Sequence, residues 1–335
     1  MKVMEMADKI RAGIYPARTV YDNYAILQVG PDKLYKTPAD ALADAKSGDI
    51  IEIDSGEYHD ADAVMQIGSR QGNLRDLTIR GVGGCAYMLV SADTPLAAGG
   101  EGIWSVYAHG TRIENIGFNG AAFDGSASGI RINAMDIVLR NCHVSQNNMG
   151  ILTYNSNQYD GGDIILIECE LDGNGDNSGF SHNVYIGSGC DNFWLIDSFS
   201  TNVKVGYLAK SRAKNTHVIN SSLIIGETGR GVPLDAPNGG NLYVIDSILE
   251  NGENDARLIR YDEESNIEHY QPDTGFYLLC NSKFIAPKTS GNCFDIGEFR
   301  KHKIKPEIYD CIFAAEKSIL GGFVSEGNGN YIGKL

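Results

Sequence analysis

Eight short stretches decide how this chain folds: Ile113-Glu114-Asn115-Ile116, Leu139-Arg140-Asn141-Cys142, Ile167-Glu168-Cys169, Leu195-Ile196-Asp197-Ser198, Val218-Ile219-Asn220-Ser221, Val244-Ile245-Asp246-Ser247, Asn281-Ser282 and Ile308-Tyr309-Asp310-Cys311. The unit is an apolar pair, then Asn, Asp or Glu, then usually a small residue. The polar anchors stand at 115, 141, 168, 197, 220, 246, 281 and 310, so the repeat averages about 28 residues. Between anchors lie only short runs of Val, Ile, Leu and Tyr, broken by Gly, Asn, Asp and Ser. No helical pattern of ten to fifteen residues intervenes, which excludes an alternating βαβ sheet. The spacing predicts an all-β solenoid whose coils, about nine or ten, stack into parallel sheets. Cys142, Cys169 and Cys311 share a column with Ser198, Ser221, Ser247 and Ser282. Small inward side chains are expected there, with a structural rather than metal-binding or catalytic role for the thiols.

Upstream of the repeat, Thr37-Pro38-Ala39-Asp40-Ala41-Leu42-Ala43-Asp44-Ala45-Lys46 reads as a short helix. Thr37 suits the N-cap, Pro38 the first turn, and Asp40 and Asp44 the positive end. Ser47-Gly48-Asp49 stops it, and this helix is the expected lid over the first coil. The domain reading is an arm or capping segment at 1–30, a β-helix at 31–320, and a tail at 321–335.

Composition narrows the function. Of 335 residues 40 are Gly, about 12% against a usual ~7%, as turn-rich coils require. The 28 Lys and Arg against 43 Asp and Glu give a net charge of −15, which argues against nonspecific binding to nucleic acid or to an anionic membrane. Met1–Asp8 has no apolar run, so no signal peptide is expected. Seven scattered Cys without a CxxC suggest no disulfide framework.

The stretch from Lys36 to Tyr58, with the helix followed by Ser-Gly-Asp-Ile-Ile-Glu-Ile and Ser-Gly-Glu-Tyr, resembles the start of the pectate-lyase-like superfamily. Leu77-Thr78-Ile79-Arg80-Gly81-Val82-Gly83-Gly84 resembles its next coil. The resemblance spans roughly residues 30–315 and implies a single-stranded right-handed parallel β-helix. Residues 181–264 (Ser181-His182-Asn183-Val184-Tyr185, Gly206–Ala213, Pro233–Gly240) are similar to a subgroup described as polysaccharide-active. The paired Asp and Gly-His-Gly of polygalacturonases are missing, as are the Trp-Ile-Asp-His and Arg-x-Pro-x-x-Arg of pectate lyases. Their catalytic residues do not transfer.

The spacing marks its own candidate site. Tyr185, Lys210, Asp235 and Arg260 are each 25 residues apart. One coil of that length stacks them at ~4.8 Å. Val184, Ala209, Leu234 and Ile259 form the inward column beside them, so alternation sends the polar four outward. Arg212 and Asp262 share that face two residues on, with Glu263 and Glu264 at its edge, and His182 is expected inward or at a bend beside Tyr207. Lys204, Lys210, Arg212 and Lys214 make a basic island in an acidic protein, which suits an anionic ligand.

The chemistry expected is β-elimination on a uronate-containing polysaccharide. Arg212 or Arg260 would bind the carboxylate. Lys210, its pKa lowered by neighbouring Arg, would be the base, and Tyr185 or His182 the acid. Asp235 would orient Lys210 or join Asp262 and Glu263 around Ca²⁺. Arg260, Tyr207, Asn238 and Tyr261 would contact sugar, with Tyr154 and Tyr159 possible additions to the groove. A plain cross-strand ion ladder explains the same column structurally. The alternatives are a glycosidase pairing Asp235 with Asp262 or Glu263, and a non-catalytic glycan-binding or tailspike-like protein, a homotrimer if a spike. His143 and His217 are expected at the surface.

Overall fold

The computed structural model describes residues 2–17, 19–122, 125–153, 161–226, 229–252, 254–262, 264, 276–288, 290–296, 306–315, 318, 320 and 327–333. Its strands pair in parallel and wind into a β-solenoid. Nine strands form one sheet, from Met65–Ile67 to Phe294–Ile296. The other twenty form two ladders, which merge where the long strands Ile50–His59 and Thr78–Leu89 run through both.

The anchor residues of the repeat are the corners between those two ladders. All eight have left-handed backbone, with φ of 57° at Asn115, 50° at Asn141, 56° at Glu168, 50° at Asp197, 46° at Asn220, 53° at Asp246, 47° at Asn281 and 52° at Asp310. Among non-glycine residues Asn and Asp tolerate this conformation best, because a short polar side chain bonds locally. Here it also bonds to the next coil: Asn141 Nδ2 donates to Asn115 Oδ1 at 2.8 Å, Asn220 to Asp197 Oδ1 at 2.7 Å and Asn281 to Asp246 Oδ1 at 2.6 Å.

The small residue after each corner points inward, as expected. Backbone N–H groups of Cys169, Ser198, Ser221 and Ser247 donate to the hydroxyls of Ser198, Ser221, Ser247 and Ser282, at 3.0 to 3.1 Å. The column thus satisfies backbone donors that the corner leaves without a ladder partner. Beside it runs the apolar column Leu139, Leu166, Leu195, Val218, Val244, Leu279 and Ile308. A second inward polar ladder, Asn147, Asn174 and Asn183, caps backbone N–H groups in the same way and escaped the sequence reading.

Helix α2 (Pro38–Asp44) closes the first coil. Thr37 and Asp40 form a reciprocal capping box, and Pro38 opens the helix. The arm behaves differently from a lid. Helix α1 (Lys2–Arg11) lies against the outside of the solenoid, with Ala7 and Ile10 buried on Val138, Ile165, Ile167, Trp194, Ile196 and Ile219. Arg11 chelates Asp197 at 2.8 and 2.9 Å, and Arg140 donates to the carbonyls of Ile10 and Arg11. The strand carrying Ile164-Ile165-Leu166-Ile167 is thereby covered on both faces. His217 is likewise buried, stacked 3.7 Å from Trp194 and 4.8 Å from Tyr243 by ring centroids, which corrects its expected surface placement. Tyr331–Ile332 adds a further parallel rung on Ile312–Ala314.

Candidate functional site

The nine-stranded sheet carries the site. Tyr185 pairs with Lys210, Lys210 with Asp235, and Asp235 with Arg260, in unbroken parallel register. The column extends through Leu152, Arg131, Ser105 and Gln66 on one side and to Asp295 on the other. The 25-residue spacing therefore translates into direct stacking. Val184, Ala209, Leu234 and Ile259 fill the core beside it.

What the register could not show is how the side chains layer above the sheet. Asp235 is wholly buried and Lys210 is 8% exposed. Lys210 Nζ lies 3.3 Å from Asp235 Oδ2 and 2.5 Å from Glu264 Oε1. The other oxygen of Glu264 takes Arg212 Nη2 at 2.6 Å. Arg212 Nε donates to Tyr185 Oη and its Nη1 to Asn238 Oδ1, both at 2.8 Å. The Lys210 ammonium also lies 5.8 and 5.1 Å from the ring centroids of Tyr185 and Tyr207. Arg260 donates to Tyr207 Oη, with its guanidinium carbon 5.7 Å from that ring. One connected network thus joins Tyr185, Tyr207, Lys210, Arg212, Asp235, Asn238, Arg260 and Glu264.

Its electrostatics redistribute the expected roles. Burial alone would push the Lys210 ammonium down, but Asp235 and Glu264 outweigh burial and hold its pKa above the ordinary value. Arg212 does act to lower it, as expected, but the two carboxylates outweigh this, so Lys210 stays protonated and is not poised as a base. Burial raises the Asp235 carboxyl against the pull of Lys210 and Arg260. Glu264 goes the other way, since hydrogen bonds from Lys210 and Arg212 outweigh its burial. His182 sits edge-on to Tyr185, and its Nδ1 accepts the Tyr207 N–H at 3.2 Å. Burial, then the charge of Lys210, drops its pKa to about 3. A neutral, enclosed imidazole is not the general acid expected. Tyr207 is pushed up, chiefly by burial, and keeps its proton at neutral pH.

Three further expectations change. Tyr261 faces the core, fully buried, with its hydroxyl donating to Gly240 O at 2.5 Å and its ring edge-on to Tyr277. Alternation after Arg260 puts it inside, where it cannot contact sugar. Asn238 is buried and holds Arg212 instead of facing solvent. The basic island divides, because Lys214 turns aside to pair with Asp191 at 2.5 Å while Lys210 and Arg212 converge. Asp262, like Asp235, is buried. Among the described residues no three His, Cys, Asp or Glu side chains converge as a cation site requires. Glu263, the third expected Ca²⁺ ligand, lies outside the described residues, as do Tyr154 and Tyr159.

Sequence reasoning placed Glu264 only at the edge of the patch. It sits four residues beyond Arg260, off the 25-residue register, and its charge was the signal available.

The chain matches no protein-family model and no curated protein. Its fold is similar to that of a pectin methylesterase from Aspergillus niger, with 15% identity, a TM-score of 0.48, and 86% of this chain and 87% of that one covered. A pectin methylesterase from Erwinia chrysanthemi aligns at 12% identity and a TM-score of 0.42, over 94% and 93%. The ORF18 protein of Geobacillus virus E2 aligns at 11% identity and a TM-score of 0.45, over 83% of this chain and 57% of that one. The fold itself rests on this chain's own strand register, which is that of a parallel β-helix.

Proposed function

We propose that the Tyr185–Arg260 face binds a uronate-containing glycan and cleaves it by β-elimination. One observation carries the reading: Lys210 and Arg212 already bridge a carboxylate, that of Glu264, through one oxygen each. A planar guanidinium beside an ammonium is suited to holding a ligand carboxylate in the same way. Two tyrosine rings flank the pair and offer the apolar faces a sugar ring needs.

In this reading the uronate carboxylate displaces Glu264 from the two cations. Their charge acidifies the adjacent C5 proton. Glu264, ionised and released beside it, accepts that proton. The C4–O bond breaks as the C4=C5 double bond forms, and Tyr207 gives its proton to the leaving oxygen. Both side chains then return to their starting states by exchange with water.

Glu264→Gln tests this directly. It removes the internal competitor, so a galacturonate oligosaccharide should bind more tightly, by about three- to tenfold. The ultraviolet absorbance of the unsaturated product should be lost in the same variant. Weaker binding by Glu264→Gln would refute the carboxylate site. Tight binding by the wild type with no unsaturated product would leave glycan binding and remove the elimination step.

A further inference from the structure

We infer that the groove beside Tyr207 is a separate anionic-sugar subsite, in which Arg230 and Arg257 take the carboxylate of a sugar ring that lies against Tyr207. This rests on reading the Lys210 face as a glycan-binding surface, and it extends that surface along the strands. The groove has a volume of about 270 Å³. Tyr207 lines it and also touches His182, Lys210 and Arg260, so the groove adjoins the network without sharing its cations.

Two stacked positions of the groove are glycine for a definite reason. At Gly206, φ is 139°, and a Cβ there would lie 2.1 Å from Ser181 O. At Gly231 a Cβ would lie 1.7 Å from Gly206 O. Only glycine lets these coils stack so closely; Gly206 is buried and Gly231 half-buried, and both line the groove.

The walls supply charge. Arg257 is fixed by Asp255, whose carboxylate accepts from its Nε at 3.0 Å and from its Nη2 at 2.5 Å. Arg230 is exposed and makes no ion pair among the described residues. Arg257 also lies 4.0 Å from Asp295, so Arg230 is the wall cation with no carboxylate paired to it among the described residues. Gly179 belongs to the rim, and the next residue, Phe180, is 84% exposed. The Tyr207 ring beside the Arg230 guanidinium fits a charged pyranose, whose two faces are apolar and whose edge carries the carboxylate.

The test compares glycan lengths. Hexasaccharides and trisaccharides of galacturonate, mannuronate and glucuronate, with a neutral galactose hexasaccharide as control, are titrated calorimetrically against the full chain. Phe180 and Arg230 are both exposed, so a Phe180→Ala/Arg230→Gln double variant should keep the wild-type Tm. It should lose about tenfold in affinity for the bound hexasaccharide and nothing for the trisaccharide. Unchanged hexasaccharide affinity in this variant, together with its loss in Lys210→Met/Asp235→Asn, would overturn the subsite and leave the reading of the main face standing. An equal loss for both lengths would also overturn it, because the groove would then be part of a single site. If the wild type binds none of the uronates, the main face and the subsite fall together.

Discussion

Lys210 and Asp235 form the pair on which the candidate site is built, and replacing Lys210 by Met tests whether it holds the fold as well. At 3.3 Å and an effective dielectric constant of about 20, their attraction is about 5 kcal/mol. Asp235 has only 1% side-chain exposure, so water cannot replace the lost partner. Removing one member of such a pair typically costs about 3–5 kcal/mol. Arg260 and protonation of Asp235 both soften this, and about 3 kcal/mol at pH 8 is expected. The sign with pH follows from Asp235. Its folded pKa is already raised and rises further without Lys210, so the penalty is present above that pKa and fades as pH falls towards the unfolded carboxylate value. The difference between wild type and Lys210→Met should therefore shrink by pH 5. Asp235→Asn leaves Lys210 its partner Glu264 and should cost less, about 1–2 kcal/mol. The double variant buries no unpaired charge and should recover at least about 2 kcal/mol of the summed single losses. Urea titrations followed by tryptophan fluorescence, at pH 8 and pH 5, measure all four proteins. A coupling below about 0.5 kcal/mol, or a Lys210→Met penalty that grows on acidification, would refute the buried-pair reasoning. The same result fixes how activity is read: loss of turnover in Lys210→Ala alone mixes chemistry with unfolding.

Two other outcomes follow from the structure. His182 and His217 are buried with folded pKa values of about 3 and about 4, below the ordinary imidazole value, so each contributes stability present at neutral pH and lost as pH falls from about 6.5 towards those values. At pH 5 each costs about 2 kcal/mol, and a His217→Gln variant should show a visibly flatter fall in Tm between pH 7 and pH 5; an unchanged slope would contradict it. Glu168 is the one corner residue that is neither Asn nor Asp, at φ 56°. Glu168→Asn should raise Tm by the equivalent of about 0.5 kcal/mol, after losing an exposed ion pair with Arg140, whereas Asn220→Ala at an equivalent corner should lower it.

How much of this was legible beforehand depends on what repeats. A solenoid makes the same local decision once per coil, so the corner conformation, the inward Ser and Cys column and the strand spacing are written into the chain many times. The eight anchors and the N-cap at Thr37 were readable in the chain; the left-handed backbone at those anchors and the capping box that Asp40 completes are findings of the structure. The 25-residue spacing of Tyr185, Lys210, Asp235 and Arg260 likewise fixed which strands touch and in what register.

Only the tertiary structure decided what covers those side chains. Tyr261 went inside because alternation outranks its resemblance to a sugar platform. Lys210 keeps its proton because Asp235 beneath it and Glu264, off the repeat register and closing over it, both stabilise the ammonium. Helix α1 lies on the flank because the outward faces of Ile165, Trp194 and Ile196 are apolar, and nothing local in the first eleven residues names that surface. The sequence by itself determined the solenoid and the column, since both follow from contacts between equivalent positions one coil apart. The closure of Glu264 over Lys210 and Arg212 and the seat of helix α1 were decided by contacts between non-equivalent positions, which no period in the chain encodes.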